Sequence, residues 1–135
     1  MTRLKNLLPV VVRVLMSGLF VFSVMMTVTG GKMPVPPGSG AEAFGRAMHA
    51  TGYLIPLLKG MELVGALLLL RRRFVPLALV MLAPIVVNIV AFHVFLERGG
   101  LPIAAFLVAG LVYLSVVHAA AFRPLLGQPE PPVSA

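Results

Sequence analysis

The 135-residue sequence contains no cysteine. That excludes disulfide staples, cysteine-ligated zinc, iron–sulfur clusters and any thiol chemistry carried by the chain itself. It contains no tryptophan, so an aromatic belt at a membrane boundary would rest on two Tyr and eight Phe. Charge is scarce: 11% of residues are Asp, Glu, Lys or Arg, against roughly 25% in an average soluble domain. A soluble domain of this length needs a polar skin, and so few charges do not make one. Acidic residues are scarcest, four against eleven basic ones, for a net charge of +7. In a soluble chain such an excess points to an acidic partner; in a membrane chain it marks the loops held on the cytoplasmic side. Catalytic signatures are missing as well: there is no phosphate loop, dinucleotide glycine signature, Ser-His-Asp order or HExxH pair.

What the sequence has in abundance is apolar residues, 59% of the total. They gather into four runs, 7–29, 52–70, 74–96 and 101–122. A bilayer core of about 30 Å needs about 20 apolar residues in helical form, which each run supplies. The runs are solid, not alternating, so no β-barrel reading competes. The first is longer than a signal-peptide core and no small-x-small cleavage site follows it, so an uncleaved span is expected. Placing the N-terminus inside puts Arg3, Lys5, Arg71, Arg72, Arg73 and Arg123 on the cytoplasmic side, and Lys32, Arg46 and Arg98 outside. Six against three, with a triplet directly at a span end, sets the orientation.

The expected fold class is therefore all-α: one integral-membrane four-helix bundle over residues 1–135, up-down-up-down, with both termini cytoplasmic. Short links between the second, third and fourth runs force antiparallel neighbours. The long outer loop, 30–51, opens with a proline- and glycine-rich turn segment and closes with an amphipathic helix over 41–49. The tail, 124–135, is proline-rich and expected to be unstructured. Pro84 interrupts the third run, and Ala105 and Ala109 predict a small-residue packing seam on the fourth. The bilayer is the expected partner, and nucleic acid is not.

Polar residues inside the runs are the candidate site. Lys59 lies about 10 Å and Glu62 about 15 Å below the outer end of the second run, three residues apart on one helix face. Arg13 enters about 9 Å from the inner end of the first run and is long enough to reach Glu62. Asn88 lies about 12 Å below the outer end of the third run, and Tyr113 near mid-membrane on the fourth. Arg13, Lys59, Glu62, Asn88 and Tyr113 are thus expected to form one buried polar cluster, with Ser17 and Ser23 beside it. Two readings stand together: mutual neutralisation that fixes the packing, or a site for an anionic or quinone-like head group or a proton. His93 and His118 sit at opposite depths and cannot share one haem. His49 with His93 is a weak metal signal, and no metal is assigned.

Several of these residues stand in a recognisable order. The first run carries Arg13-Val14-Leu15-Met16-Ser17-Gly18, and the second Gly52-Tyr53 and Lys59-Gly60-Met61-Glu62. The third carries Pro84-Ile85-Val86-Val87-Asn88 and Phe92-His93, and the fourth ends Ala121-Phe122-Arg123-Pro124-Leu125-Leu126. Over 13–126 the chain resembles the DoxX and DoxX-like family of small four-helix bacterial membrane proteins. The resemblance implies a place in the bacterial inner membrane, as a subunit or partner of a quinone-linked redox or oxidative-stress complex. It implies a quinone as the candidate cofactor, redox-complex subunits or self-association as partners, and Arg13, Glu62, Asn88 and His93 as recurrent polar positions. The alternatives from the residues alone are a non-catalytic scaffold or assembly protein, or an oligomeric small-solute or proton transporter. Whether the protein is an enzyme stays open, with no catalytic motif of its own.

Overall fold

A computed structural model of the protein describes residues 2–31 and 34–127. The described residues are helical, with no strand among them. The helices are α1 (Thr2–Val28), α2 (Gly40–Ala50), α3 (Leu54–Leu70), α4 (Val75–Phe95), α5 (Leu101–Val117) and the single turn α6 (Ala119–Phe122). α1 lies against α3 and α5, α3 against α4, and α4 against α5.

Each long helix turns one stripe inward. On α1 the buried positions are Arg13, Met16, Ser17, Phe20 and Val24, spaced three and four apart as a single helical face requires. On α4 they are Val75, Ala78, Leu79, Leu82, Ile85, Val86 and His93. The residues outside these stripes are as apolar as those within: Phe22 is 63% exposed, Val87 66% and Phe95 81%. A soluble monomer rarely leaves a large contiguous apolar surface in water, so lipid is the solvent that suits this exterior. Three helical segments, Leu7–Val28, Arg72–Phe95 and Arg98–Val117, are long and apolar enough to cross a membrane. A fourth crossing counts if α3 is taken with α2, its partner across a 94° bend.

The bend has a local cause. Ser39 caps α2 by accepting from the Glu42 N–H at 3.2 Å, while the Glu42 carboxylate accepts from the Gly38 N–H at 2.6 Å. At the far end the Thr51 hydroxyl accepts from the Leu54 N–H at 3.1 Å, starting α3, and Gly52 takes a left-handed φ of +74° between them. α2 is thus the expected amphipathic helix, with Ala41 buried, Phe44 and Met48 half-buried and Arg46 exposed. The fourth apolar run is not one helix: it breaks at His118, whose ring bonds the Leu114 carbonyl at 2.9 Å. Pro124–Leu126 form a short 3-10 turn, and the rest of the expected tail, 128–135, lies outside the described residues.

Small residues set the helix spacing, but not those expected. Ala105 and Ala109 are exposed; the inward face of α5 is Ala104, Leu107, Gly110 and Leu114, one position away. A Cβ on Gly110 would stand 2.6 Å from Met16 Sδ of α1, and one on Gly65 2.6 Å from Leu82 Cδ2 of α4. Replacing Gly65 by leucine therefore forces α3 and α4 apart and costs about 1–3 kcal/mol. Gly60, with no atom within 4 Å of an added Cβ, accepts alanine with stability unchanged or raised by about 1 kcal/mol at most. Thermal unfolding of the detergent-solubilised variants checks the pair: Gly65→Leu lowers Tm and Gly60→Ala does not.

Candidate polar site in the membrane layer

The polar groups of α1 and α3 meet along one antiparallel seam. Towards the N-terminal end of α1, Arg13 Nε donates to the Leu69 carbonyl and Nη2 to the Leu70 carbonyl, each at 2.7 Å. One turn further, Ser17 Oγ donates to the Ala66 carbonyl at 2.9 Å. Further out, the Lys59 ammonium donates to Ser23 Oγ at 2.7 Å and to both Glu62 oxygens at 3.0 and 2.9 Å. Climbing α1 from Arg13 to Ser17 to Ser23 descends α3 from Leu69 to Ala66 to Lys59, so three contacts fix one register.

The expected single cluster is therefore divided. Arg13 does not reach Glu62. The antiparallel register sets it opposite the last turn of α3, where carbonyls lack intrahelical donors and the helix dipole is negative. From Glu62 to Leu69 the helix rises about 10 Å, too far for Arg13 to serve both. Asn88 is not in the cluster either. It lies outside the buried stripe of α4, is exposed, and bonds no described residue. Tyr113 is half-buried and packs on the apolar core as a ring. Of the five residues expected in the cluster, only Lys59 and Glu62 come together, joined by Ser23.

The Lys59–Glu62 pair is complete in itself. Glu62 is 3% exposed, about 12 Å from either end of α3. The Lys59 ammonium meets three acceptor atoms, Ser23 Oγ and the two oxygens of one carboxylate, and the opposite charges make the pair neutral as a unit.

His93 belongs to a second site, at the C-terminal end of α4. Its Nδ1 lies 2.9 Å from the Glu97 carbonyl oxygen and 3.0 Å from Glu97 Oε2. The Glu97 carboxylate also accepts from the Gly99 and Gly100 N–H groups, tying the α4–α5 connection to the histidine. A side chain at Gly100 would fall within the His93 ring. Glu97 was missed in reading the sequence, although His-x-x-x-Glu before Gly-Gly is the spacing that reveals it: i and i+4 meet on a helix end. The Gly99 amide foremost, then Gly100 and His93, hold the Glu97 carboxyl below its ordinary value against the opposing effect of desolvation. His49 is exposed on α2, and no group of three or more metal-ligating side chains is gathered among the described residues.

A third feature is a groove of about 220 Å³ walled by Phe44, Asn88, Ala91, Phe92, Phe95 and Leu96. The Phe44 ring of α2 and the Phe92 ring of α4 meet in its wall, their centroids 5.7 Å apart.

Two outcomes test these sites. Lys59→Met leaves Glu62 a buried orphan charge and costs about 3–5 kcal/mol, nearer the lower figure because the Lys59 side chain is 18% exposed. Lys59→Met with Glu62→Met restores most of that stability in the same unfolding assay. For Glu97 the folded carboxyl is depressed, so its caps stabilise above its unfolded value and are lost as pH falls through the folded one. The Tm advantage of the wild type over Glu97→Gln is therefore full near neutral pH and vanishes in acid. Comparison of the chain with family models, with curated proteins and with solved structures finds no match.

Proposed function

We propose that the chain is a non-catalytic membrane subunit, a four-helix bundle of up-down-up-down topology with both termini cytoplasmic. Its place is the bacterial inner membrane, in a quinone-linked redox or oxidative-stress complex. One observation carries the non-catalytic part: the ionic pair near mid-membrane finds its partners within the chain, Lys59 meeting both Glu62 oxygens and Ser23 Oγ. A catalytic or transporting ion pair needs a group free to exchange partners, and this one is arranged to hold α1 and α3 together.

The orientation is supported by Arg71, Arg72 and Arg73, all exposed at the turn between α3 and α4. The redox assignment rests on the resemblance to the DoxX-like proteins. A quinone head group would need hydrogen-bond donors for its carbonyl oxygens, and the Lys59 ammonium is already engaged by Glu62 and Ser23. In this reading the quinone is held by the partner enzyme.

Isolation of the full chain from membranes in mild detergent is expected to bring down a cofactor-bearing oxidoreductase, and deletion to slow quinone-dependent electron flow. Isolation with no such partner, together with unchanged electron flow, refutes the redox assignment. Reporter fusions at each terminus check the orientation, both being active only in the cytoplasm.

A further inference from the structure

Asn88 is a polar side chain facing the wrong solvent. It lies seven residues below the end of α4 at Phe95, about 10 Å inside the outer end of the helix, and is exposed without a hydrogen bond to any described residue. At that depth its exposed surroundings are hydrocarbon, where an amide left unpaired costs several kcal/mol. The surrounding side chains, Ala91, Phe92, Phe95, Leu96 and Phe44, offer no side-chain acceptor or donor. One turn below, Pro84 lacks the N–H that would bond the Val80 carbonyl, so this side of α4 carries a second backbone acceptor without its helical partner.

We infer that this face of α4 binds a second copy of the same chain, Asn88 pairing with its counterpart across a two-fold axis normal to the membrane. The amide is its own complement, donating through N–H and accepting through C=O, so two copies satisfy both groups reciprocally. Copies inserted in the same orientation bring their Asn88 residues to the same depth without further design, as an isologous interface requires. The residues one turn away on the same face are Pro84, Ala91 and Phe92, the last two lining the groove beside Asn88. Phe95, 81% exposed two turns above, extends the apolar contact towards the outer surface. Lipid chains cannot satisfy the amide, and the satisfied Lys59–Glu62 pair gives the partner no charge to match elsewhere on α3. The inference rests on membrane insertion, which retention of the wild type in alkali-washed membranes tests separately.

The absence of native cysteine makes the test direct. In liposomes treated with copper phenanthroline, Val87→Cys, beside Asn88, is expected to give a disulfide dimer. Phe22→Cys, equally exposed at comparable depth on α1, is expected to stay monomeric. Energy transfer between labelled copies should show Asn88→Leu weakening association about threefold to twentyfold, and Asn88→Gln retaining it. Equal cross-linking at both positions, a monomeric wild type, or association unchanged in Asn88→Leu each overturns the inference. So does a monomer from which Asn88→Leu removes a bound lipid-soluble molecule, detected by mass spectrometry of the extract. Val87→Cys leaves Asn88 in place, so it reads the interface even if Asn88→Leu folds poorly.

Discussion

The structure depends on one constraint: inside hydrocarbon no polar group has water to fall back on, so each must find a partner in the protein. The seam between α1 and α3 is the main answer. Arg13 ties the open carbonyls at the end of α3, Ser17 ties a carbonyl one turn away, and Lys59 links Glu62 to Ser23. These contacts do what hydrophobicity cannot do in a lipid solvent, where apolar side chains gain little by leaving lipid for protein. They select one partner and one register for α3, and the apolar residues then pack around that choice.

Packing supplies the second constraint. Dispersion contacts hold helices in a membrane only where backbones or small side chains allow close approach. Gly65 admits Leu82, and Gly110 admits Met16. The short connections carry their own fastening: Glu97 binds two backbone amides and His93, and the Thr51 hydroxyl turns the chain from the surface helix α2 into α3.

Against this background the polar residues fall into two kinds. Arg13, Ser17, Ser23, Lys59, Glu62, His93 and Glu97 are partnered within the chain and read as structure. Asn88 is partnered by nothing described, and lies beside a groove walled by phenylalanines. In the proposed reading, the internally paired charges and the outward-facing amide of Asn88 suit association through one face of α4.

The sequence by itself determined the helical class, three of the four apolar spans, the amphipathic helix α2 and the pairing of Lys59 with Glu62. All follow from local rules: run length against bilayer thickness, a period of three to four, and side chains three residues apart on one face. The placing of Ser23 beside Lys59 was anticipated, but the separation of Arg13 from Glu62 was not legible, because it depends on the antiparallel register of α1 against α3. Nor was the orientation of Asn88, or the packing of Gly110 in place of Ala105 and Ala109. When every face of a helix is apolar, the pattern no longer marks which face is inside. Only the tertiary structure decided that, by placing each stripe against a neighbour and leaving the remainder to lipid.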